Sequence, residues 1–501
     1  MTNPQTLPVW ASLQAHQKEL ETQSLKTLRE DQARQEKLTL TLENITGDFT
    51  RMPATIQTLD LLFALAHGQN FEAMRKSMFE GEKINLSESR PVLHTALRST
   101  QVQPLFVDGQ DIMPLIRQTR MRMESFVRAV RTRQQRGFTG KPIDTIVNIG
   151  IGGSDLGPHL LCQALKDLEG VQSAQAPALF FVNNLDSAAL RDVFKTCNPQ
   201  TTLFLLVSKS FTTQETLVNA RHAKNWLNKA MGEMAHTQHF LAVTANAQGA
   251  RDFGIINPDM IFPMWDWVGG RFSLWSAASL SFALLAGWNA FATLLAGAAK
   301  MDEHFKTASL PENLPAMAAL LELWVLNFWA VPAIAILPYA QRLELLPAYL
   351  QQLEMESNGK SVSRQSEPLS YSTGPIIFGS CGTSCQHSFM QWIHQSPTAL
   401  LSSFIGIKHD PLALEDTHQA LLKNLKAQAQ ALEIGTSADD PARTNPGNRP
   451  SMILWLDRLT PFTLGQLLAF YEHKVFTQSI LWNINAFDQF GVELGKTLAR
   501  E

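Results

Sequence analysis

The chain has 501 residues, 45% of them hydrophobic, with 42 basic against 45 acidic side chains and a net charge of −3. At the usual ~100–200 residues per domain this is enough for two or more cores. The balanced charge, with no clustering of basic residues among aromatics, gives no field that attracts a polyanion, so nucleic acid is excluded as an expected partner.

In chain order, the first twenty residues have no apolar core of signal-peptide type. Residues 8–45, rich in Leu, Gln, Lys and Glu at helical spacing, together with 58–67 and 114–136, predict a mostly helical first quarter. Short apolar runs then predict strands at 143–149, 178–182, 202–207 and 240–243, with helical runs between them. That alternation is the pattern of a parallel sheet covered on both faces. A first α/β domain is expected at about 116–285, inserted into a larger discontinuous unit made of 1–115 and 286–501. Residues 272–299 carry no charged side chain and meet the roughly 18–20-residue membrane criterion in length. Serines at 273, 276, 279 and 281 and the break at Gly287-Trp288-Asn289 predict two buried helices instead, and no membrane span. Fainter strands at 333–337, 375–378 and 452–456 make the larger unit α/β as well. Residues 435–450 form a surface loop, and Thr460 caps a late helix with Pro461 at its first position.

The four cysteines, Cys162, Cys197, Cys381 and Cys385, are too few for a disulfide framework in a chain of this size. They fit a reducing compartment, and the expected location is cytoplasmic. Cys381 and Cys385 with His387 nearby make half a metal site at most, so no metal is expected.

Two stretches carry chemistry. Ser208-Lys209-Ser210-Phe211-Thr212-Thr213-Gln214-Glu215-Thr216 gathers hydroxyls and backbone N–H groups where an apolar strand hands over to a helix. A helix N-terminus favours an anion, so the stretch is a phosphate cradle, and with Lys209 as its one cation it would hold phosphate mainly by hydrogen bonds. Ile149-Gly150-Ile151-Gly152-Gly153-Ser154-Asp155-Leu156-Gly157-Pro158 lies at the carboxyl end of the first strand of that sheet, where ligands of open α/β sheets bind. It is no dinucleotide fingerprint, because Asp155 stands where the third glycine is needed, and no Walker loop, because Pro158 and His159 replace Lys and Ser/Thr. A glycine turn offering N–H groups and the Ser154 hydroxyl, beside a phosphate cradle, fits a sugar phosphate.

Taken with Gly269-Gly270-Arg271-Phe272-Ser273-Leu274-Trp275-Ser276, Met355-Glu356-Ser357-Asn358-Gly359-Lys360 and residues 491–496, these stretches resemble the glucose-6-phosphate isomerase family. Residues 88–98 and 471–489 also resemble it, and the similarity runs from about residue 45 to the C-terminus. The resemblance implies two sugar-isomerase-type (SIS) α-β-α sandwich domains with parallel sheets, a homodimer, and interconversion of glucose 6-phosphate and fructose 6-phosphate through a cis-enediol without metal or organic cofactor. It implies Glu356 as the base, Arg271 as the charge beside the enediolate oxygen, and His387 and Lys496 as the ring-opening pair, with His387 supplied by the partner subunit. Gly153, Ser154, Ser208, Lys209, Ser210, Thr213, Gln352 and Gln489 are implied to bind substrate. If 487–500 is helical, Gln489, Glu493 and Lys496 share one face.

Departures from the family are local. Ser210 replaces a usual Thr, and Ser380-Cys381 and Ser384-Cys385 replace Glu-Pro and Asn-Gly before His387. A Cys381–Cys385 bond under oxidation would displace His387. Mannose 6-phosphate remains open as a further substrate, because pocket geometry sets C2 stereochemistry. A sensor that binds sugar phosphates without chemistry would have no need of Glu356, Arg271, His387 and Lys496 together.

Overall fold

The computed structural model describes residues 1–501 apart from 102, 169, 170, 172, 500 and 501. Backbone packing divides the chain into two units, one made of Met1–Ser89 and Gly297–Glu501, the other of Arg90–Ala296.

The Arg90–Ala296 unit is built on a five-stranded parallel sheet, in the order Ala178–Val182, Thr145–Ile149, Thr202–Val207, Phe240–Thr244, Ile261–Pro263. Thr145–Ile149, Thr202–Val207 and Phe240–Thr244 are buried along their whole length and read as continuous apolar runs, as strands covered on both faces do. The chain steps from Thr145–Ile149 to one neighbour and returns to the other, so the order of connection reverses between Thr145–Ile149 and Thr202–Val207. That reversal opens a crevice at the carboxyl ends of these two strands. The uncharged 272–299 stretch forms Leu280–Ala286 and Trp288–Thr307, divided at Gly287, whose φ of 88° suits glycine. Among the described residues no helix is long and apolar enough to cross a membrane.

The other unit carries a six-stranded sheet in the order Thr39–Leu42, Ile45–Asp48, Ser451–Leu456, Leu401–Ile407, Ala333–Pro338, Ile376–Gly379. The last four strands are mutually parallel, and the first two form an antiparallel hairpin on the edge. This hairpin begins inside the 8–45 run whose spacing predicts helix, and it corrects the end of that reading. Helices end at Lys37, and the alternating Thr39-Leu40-Thr41-Leu42 then pairs residue for residue with Ile45–Asp48. Leu401–Ile407, wholly buried, was hidden from pattern reading because Ser402, Ser403 and Gly406 interrupt its apolar residues.

Ala335, Leu337, Phe404 and Ile453 from this sheet pack with Leu425, Ala429 and Leu432 of helix Glu415–Ile434. Helix Pro461–Leu481 starts as its sequence predicts, with Thr460 accepting from Thr463 N and Pro461 in first position. Every residue from Thr463 to Leu481 is buried, polar ones included. Beside its first turn, Gly297 approaches so closely that a Cβ there would sit 1.9 Å from Phe462 O. Gly297→Ala must push two backbones apart, and unfolding in urea should show a loss of about 1–3 kcal/mol, the usual range for overpacking. An unchanged midpoint would mean that the two backbones are not in contact in solution.

Candidate active site

In the Arg90–Ala296 unit, both chemistry-bearing stretches lie at the reversal of strand order. Ile149 leads into the glycine turn, where Gly150 N donates to Val182 O (3.2 Å) and Asn148 Nδ2 donates to Ser154 O (3.3 Å). Gly152 has φ 61°, which glycine adopts at little cost. Gly153 lies against the next loop, since a Cβ there would stand 2.0 Å from Gly270 O and 2.9 Å from Arg271 N. The missing side chain therefore brings the Ser154 turn against the backbone that carries Arg271. Arg271 itself is buried, on a helical turn spanning Gly270–Trp275.

Val207 leads into the hydroxyl loop. Ser208 Oγ donates to Thr213 Oγ1 (3.1 Å), and Ser210 Oγ lies 2.7 Å from Thr212 Oγ1. Lys209 O accepts from Ala245 N (2.9 Å) and Thr244 Oγ1 (3.0 Å), which ties the loop to the next strand end. Phe211 turns the chain with φ 54°, a left-handed conformation that bulky residues rarely adopt, and its buried ring packs edge-on to Phe253. Thr213 stands at the N-cap of helix Gln214–Met231, but its side chain caps no backbone N–H. The first-turn N–H groups of this long helix are thus left uncapped by that hydroxyl, at the positive end of its dipole. Lys209 is used differently from a simple phosphate cation. Its ammonium donates to Asp266 O (3.2 Å) and Val268 O (3.0 Å), bracing the segment that leads to Arg271. Leu93 N donates to Trp267 O (3.0 Å) in the same segment.

The Met1–Ser89/Gly297–Glu501 unit has a cleft of about 1150 Å³. Its wall includes Gln352, Glu356 and Gln489, together with Lys360 and Asp488. Helix Leu346–Leu350 runs on into a π-helical stretch, Gln351–Glu356, of the kind that recurs at functional sites. Gln352 and Glu356 sit on the cleft side of that stretch, whereas Leu353, Glu354, Ser357 and Asn358 are buried. Lys360 Nζ donates to Asp488 Oδ1 (2.7 Å), and Asp488 Oδ2 accepts from Ser87 Oγ (2.5 Å) and Asn485 Nδ2 (2.8 Å). This network joins the backbone just after Glu356 to the residue just before Gln489, a role for Lys360 and Asp488 that sequence reading missed. The signal was their place inside motifs singled out for other residues.

His387 and Lys496 do not line this cleft. His387 is exposed at the end of a short turn, Ser384–His387, and Lys496 is exposed on helix Glu493–Leu498. That helix is shorter than 487–500, so Gln489 and Lys496 do not share one helical face. Gln489 has an extended φ of −153°, because Asp488 before it is anchored in the cleft wall and Gly491 weakens helix beyond it. Cys381 and Cys385 are free thiols, buried beside Tyr339 and Ala340. Burial pushes the Cys381 thiol up to about 12 and raises Cys385 as well. Burial thus disfavours the thiolate form of both groups, the form that thiol–disulfide exchange uses.

Comparison with known proteins places the chain among relatives along its whole length. The family profile described as phosphoglucose isomerase matches residues 48–501. The chain is 45% identical to "Glucose-6-phosphate isomerase 1" of Thiobacillus denitrificans, covering 99% of this chain and 93% of that protein. It is 45% identical to the glucose-6-phosphate isomerase of Roseiflexus castenholzii, covering 100% and 93%. A crystal structure of a glucose-6-phosphate isomerase from Chlamydia trachomatis superposes with a TM-score of 0.89 at 33% identity, covering 100% of this chain and 96% of that one.

The hydroxyl loop can be tested apart from any chemistry. Thr213→Val keeps the shape of the N-cap residue and removes its hydroxyl. Binding of inorganic phosphate, measured by calorimetry, should weaken about tenfold, as expected for one lost hydrogen bond to a charged group. Equal affinity would show that Thr213 is no part of an anion cradle.

Proposed function

Because the chain belongs to the phosphoglucose isomerase family, aldose–ketose isomerases that interconvert glucose 6-phosphate and fructose 6-phosphate in glycolysis and gluconeogenesis, we propose that Glu356 is the base that moves the proton between C2 and C1. The observation that carries this assignment is the position of Glu356 on the cleft wall, one turn from Gln352. Asp488, also on that wall, is held by Lys360, Ser87 and Asn485 and so fixes the wall beside Gln489. A base acting on one face of the sugar can lift the proton from one carbon and return it to the next, giving a cis-enediol between the two steps.

The remaining roles are those that the family resemblance implies, each by a residue whose chemistry suits it. Ser208, Ser210, Thr213 and the backbone of Lys209 hold the phosphate by hydrogen bonds, with the helix N-terminus behind them. Gly153 and Ser154 present N–H groups and a hydroxyl to the sugar. Arg271 supplies a fixed positive charge for the enediolate oxygen, and a preorganised donor of this kind is worth on the order of 10²–10³ in rate. His387 and Lys496 move protons between the C1 hydroxyl and the ring oxygen, which opens the ring, and an imidazole suits that task near neutral pH. Gln352 and Gln489 contact the sugar hydroxyls.

The working form is a homodimer in which His387 serves the partner's site. Two features support this reading. His387 is exposed and lies off the cleft that holds Glu356. The helix bearing Lys496 shows Leu494 at 69% and Leu498 at 58% exposure, an apolar surface that a second copy would cover. Four free thiols fit the cytoplasm as the compartment.

Turnover of fructose 6-phosphate, followed through a coupled glucose-6-phosphate dehydrogenase, tests the assignment of the base. Glu356→Gln should lose at least about 10²-fold in kcat while KM changes little, the lower range for a lost general base. Near-normal turnover would refute it. Equimolar mixing of His387→Ala and Glu356→Gln proteins, unfolded and refolded together, should restore about a quarter of wild-type activity. Half of the dimers are then mixed, and each mixed dimer has one intact site if His387 crosses the interface. No recovery would place His387 in its own subunit's site.

A further inference from the structure

A charged cluster shut off from water lies directly behind the turn that carries Glu356. Lys474 Nζ, on helix Pro461–Leu481, donates to both carboxylate oxygens of Glu322 (2.9 and 2.7 Å) and to Glu354 Oε1 (2.7 Å). All three side chains are wholly buried. One helical turn further on, Gln478 Nε2 donates to Glu322 Oε2 (2.7 Å), and Gln478 Oε1 accepts from Asn358 Nδ2 (3.1 Å). The same Asn358 amide donates to Val475 O (3.3 Å).

Glu354 and Asn358 stand two residues before and two residues after Glu356. Spaced four apart, they share the inward face of the turn, while Gln352 and Glu356, also four apart, share the face on the cleft. The stretch between Gln351 and Glu356 is π-helical, so its local register is not held by an ordinary α-helical ladder. A buried ion cluster is a poor stability device. Desolvating its charges offsets their attraction, and apolar groups of the same volume often serve as well. Its best-supported use is to select one geometry.

We propose that Lys474 is a positioning residue for the isomerisation: through Glu354 on one side, and through Glu322, Gln478 and Asn358 on the other, it sets the turn so that the Glu356 carboxylate keeps one orientation on the cleft wall. The proposal rests on Glu356 being the base. Lys474 touches no reacting atom. A base that serves two adjacent carbons from one face must reach both, and a misplacement of about 1 Å costs on the order of 10²-fold in rate.

The test replaces the cluster as a unit, with Glu322→Gln, Glu354→Gln and Lys474→Met in one protein, so that no buried charge is left unpaired. With folding checked by circular dichroism and melting, kcat on fructose 6-phosphate should fall about 10–100-fold with KM within about threefold. Glu356→Asp, which shifts the same carboxylate by one methylene, should then cost much less in this background than in the wild type, because both changes spoil one variable. A loss that simply adds to that of Glu356→Asp, or a folded triple variant with kcat within twofold of wild type, would overturn the proposal. If the triple variant does not fold, Gln478→Met cuts the arm that runs from Glu322 to Asn358 and leaves the Lys474 contacts with both glutamates in place. It should lower kcat about 3–10-fold at constant KM, and wild-type kcat would overturn the proposal by that route. Normal turnover of Glu356→Gln alone would instead reject the base itself, so the two failures are distinguishable.

Discussion

One lysine held between two glutamates, with no access to water, is the constraint on which the larger unit is organised. Burial alone would strip the charge from Lys474, but Glu322 and Glu354 outweigh it and hold the ammonium protonated. Burial and the neighbouring Glu354 push the Glu322 carboxyl up to about 7, against the pull of Lys474. Two carboxylates share one cation, and Glu322, which accepts from Lys474 at both oxygens, also accepts from the neutral donor Gln478. Such a group tolerates few arrangements, because every oxygen and proton left unpaired in the core carries a desolvation penalty. Helix Pro461–Leu481 can therefore be polar at Glu472, His473, Lys474 and Gln478 and yet be buried from Thr463 to its end. Around it, Leu314–Phe328 supplies Glu322, and the turn before the cleft supplies Glu354 and Asn358.

The smaller unit answers a different physical problem, that of gathering backbone N–H groups and hydroxyls at one edge of a buried sheet. Its solution is to end two adjacent buried strands at the same edge and to spend the released backbone on turns. Strands Thr145–Ile149 and Thr202–Val207 are neighbours from which the chain departs in opposite directions, so no connection covers their carboxyl ends. Glycines at 152 and 153 let one turn lie flat against Gly270, and a strained Phe211, locked by its buried ring, shapes the other. The cost of the left-handed Phe211 is of order 1–3 kcal/mol, which the packing of its ring in the core offsets. Lys209, the cation in the middle of the hydroxyl loop, braces the approach to Arg271, so the loop and the segment that carries Arg271 are parts of one hydrogen-bonded framework.

Features that rest on local physics could be read from the chain. Apolar runs bounded by glycine or hydroxyl residues marked the strands of the smaller unit, the uncharged 272–299 stretch broke at Gly287, and Thr460-Pro461 started its helix. The central strand Leu401–Ile407 was hidden because its buried Ser402, Ser403 and Gly406 break the apolar run, and their burial is set by the layers that the fold stacks on both faces. The hairpin at Thr39–Leu42 and Ile45–Asp48 was hidden because its strands are four residues long and follow a helical run directly. The C-terminal helix was drawn too long because Asp488 is captured by Lys360 and Ser87, residues 128 and 401 positions away in the chain.

By itself the sequence determined the family and its reaction, since those are read from residue types in short strings, such as Met355-Glu356-Ser357-Asn358-Gly359-Lys360. Only the tertiary structure decided how the strings are aimed. It set Glu356 toward the cleft and Glu354 toward Lys474, left His387 and Lys496 exposed, and turned the Lys209 ammonium to carbonyl oxygens. The physical reason is distance along the chain. A cap or a glycine turn is settled by residues a few positions apart, whereas the direction of a side chain on a turn is settled by partners 120 to 152 residues away, such as those of Lys474.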